Sequence, residues 1–395
     1  MVIQAVLSNP CHPEYGVATI PFPIPRDQYA HCMGLLEALE IGDTVKADCK
    51  VEKVDSFYTV LKRAEMLTVN VEELNYLAKR LDSFDDGEAA QFQAMAHKLE
   101  LFELKDLINL TFCCQQATVI TDFSDLAAIG RDHYMNLHGG SASVDELNKL
   151  DGKGTARQLI ESGSGTITPY GVVYDNGMKL EQVYDGRFFP CYYYEPNAIT
   201  VAVTSKAEPE DTEHITWLFL PMVQDEIDRA LLRGGITDPA DVRLRLEDSQ
   251  FPNEVDVLLD MEYENLSDLN ELAEATDGLS NADMEKLGAV VTLAEPKSAA
   301  QIKNLAESLD LFDFAPGAHT PEDYGKYMIR QSGHFDYDEN LDAFYDYEKY
   351  GTERMNEEDG MFTDRGYIAY KGYISMEEVM NGSQSSHMEM GGFSR

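Results

Sequence analysis

The chain repeats itself at long range. Residues 70–78, NVEELNYLA, and 265–273, NLSDLNELA, share five identities at an offset of 195. The same offset pairs Ile41 with Ile236, Asp43 with Asp238, Met66 with Met261, Asp82 with Asp277, Ala94 with Ala289 and Gly130 with Gly325. It still holds at Gly165/Gly360, Thr168/Thr363 and Gly171/Gly366. Upstream the register slips by a residue or two, so that Ile20-Pro-Phe-Pro-Ile-Pro25 answers Trp217-Leu-Phe-Leu-Pro221. A constant offset over so long a stretch is the mark of a duplicated unit. Two copies are expected, residues 1–190 and 198–375, and whatever fold the first can adopt must also suit the second.

Each copy carries the same local signals. Short β-branched runs flanked by Pro and Gly come first, at 3–7 and 16–22, then at 199–204 and 216–220, and favour strands. Apolar residues at helical spacing follow, over 26–39 and 224–233. The middle third reads as helix. In the second copy Leu266, Leu269 and Leu272 form a stripe behind Asn265, and Ser280 with Asp283 makes a capping box ahead of 282–293. Thr320-Pro321-Glu-Asp323 repeats that grammar, with proline at the first helical position. The ends, 165–174 and 361–370, return to β. The expected fold class is α+β, two related copies with small sheets flanking a helical middle. Residues 382–395, rich in Ser, Gly and Met, are expected to form a flexible tail.

Charge narrows the function. Asp and Glu number 71 against 31 Lys and Arg, a formal net charge of -40, while 44% hydrophobic residues suffice for proper cores. Such a surface repels nucleic acid and anionic membrane and attracts basic proteins over a range set by salt. Residues 1–195 contribute a net charge of -13 and residues 196–395 contribute -27. The opening MVIQAVLSNP lacks a basic leader, no apolar run reaches the length of a membrane span, and six scattered cysteines form no close-set framework. A cytoplasmic protein with reduced thiols is expected.

The charge peaks in residues 335–360, FDYDENLDAFYDYEKYGTERMNEEDG. Ten carboxylates there meet two cations, Lys349 and Arg354, and six aromatics are threaded through them: Phe335, Tyr337, Phe344, Tyr345, Tyr347 and Tyr350. Disordered acidic tails are poor in aromatics because they bury nothing. This stretch is therefore expected to pack one face and present charge on the other. Its partner in the first copy, residues 140–165, has four acids and three bases, so a net charge of -8 answers one of -1.

The usual catalytic and metal signatures are missing. Asp336, Asp338, Asn340 and Asp342 alternate as in a calcium loop, but the sixth and twelfth positions are Leu341 and Tyr347, where Gly and a bidentate acid belong. Cys11-His12, His31-Cys32 and Cys113-Cys114 are adjacent pairs, lacking the spacing that lets two side chains reach one zinc ion. Gly163-Ser-Gly165 lacks the remainder of a phosphate loop and reads as a turn before a strand at Thr166. His133 and His138 have no partner nucleophile. Neither an enzyme nor a cofactor is expected.

The field itself is then the candidate activity. Solubility is served by a net magnitude of about 2–8 in a small domain, and self-repulsion at -27 costs stability. B-DNA carries one charge per ~1.7 Å of axis, so such a half matches roughly 45 Å of duplex. An ordered carboxylate array of that density is expected to mimic duplex DNA.

The second copy also resembles the ArdA antirestriction family. The pieces that carry the resemblance are Trp217-Leu-Phe-Leu-Pro-Met222, Tyr263-Glu-Asn-Leu-Ser-Asp-Leu-Asn-Glu-Leu-Ala273, Thr320-Pro-Glu-Asp-Tyr-Gly325, Phe344-Tyr-Asp-Tyr-Glu-Lys-Tyr-Gly351 and Gly360-Met-Phe-Thr-Asp-Arg-Gly-Tyr-Ile368. The resemblance implies an elongated, dimeric, non-enzymatic DNA mimic, carried by a mobile genetic element, that occupies the DNA-binding groove of type I restriction–modification enzymes at the methyltransferase core. Family members are single units under half this length, so this chain reads as a tandem form, pairing either as a homodimer or as an internal pseudo-dimer. The phosphate-mimicking residues are expected to be Asp336, Asp338, Glu339, Asp342, Asp346, Glu348, Glu357, Glu358 and Asp359. An acidic adaptor or inhibitor of another basic DNA-binding protein or defence nuclease is the alternative.

Overall fold

A computed structural model describes residues 2–207 and 212–382. Of the expected tail, all but Gly382 lies outside these residues. The fold is α+β, built from helices and several small antiparallel sheets. In chain order the strands and helices are β1 (Ile3–Ser8), β2 (Val17–Phe22), α1 (Tyr29–Ala38), β3 (Cys49–Ser56), β4 (Thr68–Val69), α2 (Val71–Asp82), α3 (Asp86–Lys98), α4 (Leu104–Leu110), β5 (Thr118–Ile120), α5 (Leu126–Leu137), α6 (Val144–Lys149), α7 (Gly152–Glu161), β6 (Thr166–Thr168) and β7 (Gly171–Tyr174). There follow β8 (Ile199–Ser205), β9 (Thr216–Leu220), α8 (Gln224–Arg233), β10 (Val242–Ser249), α9 (Asn253–Leu258), α10 (Leu266–Thr276), α11 (Asn281–Ala294), α12 (Ala299–Ala306), β11 (Phe312–Pro316), α13 (Pro321–Arg330), α14 (Tyr347–Glu357), β12 (Asp359–Thr363), β13 (Gly366–Tyr370) and α15 (Met376–Met380).

These elements form two units. Unit one holds the chain up to Glu195 together with 212–216 and Val223–Thr237; unit two holds the rest. In unit one, β2-β1-β3-β4 make an antiparallel sheet. Ile3, Ala5, Leu7, Ile20 and Phe22 are completely buried in it, as period-2 alternation requires. Helices α2 to α4 cover that face with Leu74, Leu77, Leu81, Phe92, Met95 and Ile108. Asn70 caps α2 by accepting from the Glu73 amide, and Asp85 with Glu88 closes a capping box on α3. A smaller core of Ile120, Ile129, Ala156, Leu159 and Tyr174 lies beneath the sheet β5-β7-β6.

Helix α8 follows the strands of the second copy in sequence, yet it is part of unit one. Arg233 shows why: it is 4% exposed and its guanidinium meets five acceptors. These are the carbonyls of Arg187 (2.7 Å), Gly186 (3.2 Å) and Thr44, Asn70 Oδ1 (3.0 Å) and the Tyr184 hydroxyl. One turn earlier, Arg229 donates to Glu72 (2.6 Å) and to the Gly42 carbonyl (2.7 Å). A buried guanidinium is tolerable only when all of its donors are satisfied. Arg233→Met keeps the stem and strips the acceptors. It is expected to lower stability by about 3 kcal/mol, read as an earlier midpoint in chemical denaturation; an unshifted midpoint would show that the bonds contribute nothing.

Unit two has the sheet β9-β8-β10, helices α10 to α12 carrying Leu269, Leu272, Leu287, Val290, Ile302 and Leu305 inward, and a closing sheet β11-β13-β12. Ser280 and Asp283 make the expected capping box, and Thr320 caps α13 ahead of Pro321. Within each unit the same devices recur 195 residues apart. Asn75 Oδ1 accepts from the Ile24 amide (2.9 Å) and Asn270 Oδ1 from the Met222 amide (2.8 Å). The Thr168 hydroxyl donates to the Gly171 carbonyl and the Thr363 hydroxyl to the Gly366 carbonyl, both at 2.8 Å. Gly171 and Gly366 have φ of +128° and +140°, and a Cβ on either would strike the backbone carbonyl of Ile120 or Ala315 on the neighbouring strand.

Candidate partner-binding face

The end of unit two assembles the acidic stretch around one helix crossing. Helices α13 and α14 meet backbone to backbone at Gly325 and Gly351. A Cβ on Gly325 would collide with the Tyr347 carbonyl, and one on Gly351 with the Pro321 carbonyl. Asp346 starts α14 by accepting from the Lys349 amide (3.1 Å). Under the helices, Tyr324, Met328, Tyr367 and Ala369 form a compact core, with the Tyr324 and Tyr367 rings 4.2 Å apart.

The segment between α13 and α14 is anchored by Asp342. Its carboxylate accepts from Tyr337 (2.7 Å), from Tyr347 and from the Arg330 guanidinium. The hydroxyls of Tyr347 and Tyr337, followed by Arg330, hold that carboxyl down at about 2, well under its ordinary 3.8. Donation to Asp342 pushes the Tyr337 phenol up to about 12. Glu358 is held in the same way: its side chain is 7% exposed and accepts from the Tyr324 hydroxyl (2.6 Å) and from Arg354. These two carboxylates therefore serve the scaffold.

The other seven expected mimics point outward: Asp336, Asp338, Glu339, Asp346, Glu348, Glu357 and Asp359 are all exposed. Glu353, which was not expected among them, joins them at 65% side-chain exposure and 4.0 Å from Lys349. Helical spacing would have found it, since Glu353 lies on α14 between Glu348 and Glu357. The calcium-like alternation does not converge on a common centre. Asp338 Oδ1 accepts from the amide and the side chain of Asn340, both at 2.9 Å, while Asp342 is turned onto its tyrosines. Among the described residues no group of three His, Cys, Asp or Glu could hold a metal ion.

The aromatics correct one expectation. Tyr347 is buried and Tyr337, Tyr345 and Tyr350 are half-buried, but Phe335 is 50% and Phe344 83% exposed. The reason is local geometry. Glu339–Phe344 is a 3-10 turn, and once Asp342 is drawn onto its three donors, Leu341 and Phe344 are left outside.

The histidines also take ordinary places. His133 meets the Thr118 hydroxyl at 2.9 Å, burial pushing its pKa down, and His138 bonds the Tyr134 carbonyl at 2.7 Å. Four of the six cysteines are buried, and there is no disulfide among the described residues. No helix of the described residues is long and apolar enough to cross a membrane.

The Asp342 anchor has a pH signature. Its folded pKa lies below the unfolded value, so its contribution is complete above pH ~4 and is lost as pH falls through about 2. Amide protection factors over residues 331–346, each taken against the intrinsic exchange rate at that pH, should be high at pH 4 and fall towards pH 2. In Asp342→Asn they should be low at pH 4 already, with little change elsewhere. Equal protection in the two proteins at pH 4 would show that the carboxylate anchors nothing.

Residues 212–369 match the family model described as antirestriction protein (ArdA), two-fifths of the chain and about four-fifths of its second half. No curated protein matches the chain.

Proposed function

We propose that this protein, whose residues 212–369 match the antirestriction protein ArdA, is a non-enzymatic antirestriction inhibitor that acts as a DNA mimic. Its acidic face occupies the DNA-binding groove of a type I restriction–modification enzyme, at the methyltransferase core. The observation that carries this reading is the outward array of Asp336, Asp338, Glu339, Asp346, Glu348, Glu357 and Asp359, mounted on the α13/α14 crossing with few cations to neutralise it. Fixed carboxylates on a packed scaffold meet the Lys and Arg of a DNA channel without first being ordered. They act as a summed field, so any single one contributes little.

Two further readings go with it. The recurrence of element order and local devices at one offset supports two copies, residues 1–190 and 198–375, of which the second carries most of the mimicry. The first copy extends, orients or pairs it. Pairing is either internal or between chains; light scattering at micromolar concentration separates these, with a mass near 44.3 kDa for the internal pseudo-dimer and twice that for a homodimer.

Function is tested by restriction protection in cells. The intact chain should rescue unmodified phage or plasmid DNA from a type I system. Reversing charge in the second copy (Asp336→Lys, Glu339→Lys, Glu348→Lys) should abolish rescue, and reversing Asp145, Glu146 and Glu161 in the first should not. Equal loss from both sets would end the division of labour. Capture of unrelated basic DNA-binding proteins, with no effect on type I restriction, would favour the acidic-adaptor reading.

A further inference from the structure

The geometry points to Leu341 and Phe344 as an apolar contact pair through which the acidic face docks, so that its grip on the partner is not electrostatic alone. This inference rests on the reading that unit two enters a basic DNA-binding groove. In a 3-10 turn, residues three apart eclipse one another. Leu341 and Phe344 therefore share a face of Glu339–Phe344, and they are 48% and 83% exposed.

The turn is braced from the other side. Asp342 is bonded to Tyr337, Tyr347 and Arg330, and Asp338 caps the turn at the Asn340 amide (2.9 Å). Two large apolar side chains held outward on a braced turn contribute nothing to their own unit's core. Covered by a partner, they would add the transfer free energy of their apolar surface to the binding.

Charge decides what covers them. Exposed Asp336, Asp338, Glu339 and Asp346 flank the pair in sequence. A second copy of this chain would bring its own carboxylates against these, and like charges in an interface oppose association. A basic surface with an apolar cleft fits both features. The occupant is therefore the cationic channel wall of the DNA-binding partner. There the carboxylates meet Lys and Arg and govern arrival, while Leu341 and Phe344 fill an apolar depression and govern release.

The test is the affinity and dissociation rate of the intact chain for a purified type I methyltransferase core across a series of salt concentrations. The double variant Leu341→Ala/Phe344→Ala should weaken binding roughly 30-fold at every salt concentration. Its salt slope should match that of the unmodified chain, with most of the loss in faster dissociation. Phe344→Leu should recover most of the affinity. Asp336→Asn/Glu339→Gln should instead flatten the slope. Both variants alter exposed side chains, so melting temperatures should stay within a degree or two of the parent.

A double variant whose binding line coincides with the parent's would overturn the inference and leave mimicry standing. An intact chain that does not bind the methyltransferase core at all would overturn both. A parent dimer that the double variant converts to monomer would assign the pair to a second copy instead, and would equally overturn it.

Discussion

Converting Asp336, Asp338, Glu339, Asp346, Glu348, Glu357 and Asp359 together to their amides is expected to abolish antirestriction while leaving the chain folded. None of the seven side chains is buried, and the carboxylates that serve the scaffold, Asp342 and Glu358, are left in place. Amides keep size and hydrogen-bonding capacity, so the cap at Asp346 survives as Asn. What disappears is the field. Proteins that make 6–10 phosphate contacts with DNA lose on the order of 10³–10⁵ in affinity with a fourfold rise in salt. A mimic stripped of seven charges should lose affinity on a comparable scale at low salt and should show a much flatter salt dependence. Single amide substitutions should each cost less than about tenfold, the range for partly solvated charges at an interface rim. A single substitution that eliminated activity would point to a specific site rather than a summed field.

Gly351→Ala is expected to act on the scaffold. At the α13/α14 crossing an added methyl would be driven into the Pro321 carbonyl and the Gly325 amide, backbone atoms that cannot swing aside as a side chain can. Overpacking typically costs 1–3 kcal/mol; with backbone on both sides, about 3 kcal/mol is expected. The helices should part, taking with them the Asp342 anchor and the ordered presentation of Glu348, Glu353 and Glu357. Denaturation midpoint and restriction protection should fall together. Gly34 supplies the control. It too is helical, in α1, but a Cβ there meets nothing within 4 Å. Gly34→Ala should be neutral or stabilising by up to about 1 kcal/mol. If the two substitutions behaved alike, close approach at the crossing would not be what holds this end of unit two.

Much of this fold was legible because it is local. Capping boxes such as Ser280 with Asp283 are written within four residues, and the strands β8 and β9 announce themselves by β-branched and aromatic runs between turns. The third strand of each opening sheet was not singled out. In β10, VRLRLEDS, apolar and charged residues alternate with period two, so the strand signal is present in the sequence, whereas its pairing with β8 is non-local and is not. The allegiance of α8 was likewise invisible. Its sequence shows an amphipathic helix, but only the acceptors around Arg233, scattered from Thr44 to Arg187, show where that helix is held.

The acidic face was half legible. Charge is additive and can be counted, so the placement of the array in residues 335–360 needed no structure. Which carboxylates are available depends on three-dimensional neighbours. Asp342 and Glu358 are withdrawn by Tyr337, Tyr347 and Tyr324, and nothing in their spacing marks them off from Asp338 or Glu357. The outward pose of Phe344 follows from the 3-10 turn, whereas the aromatic content had suggested packing.

Competition for the methyltransferase core is the most direct test of DNA mimicry. A fluorescent duplex bound to the purified enzyme should be displaced stoichiometrically by the intact chain at low salt, with displacement weakening steeply as salt rises. A ternary complex that keeps its DNA, or an affinity unchanged between low and high salt, would contradict it.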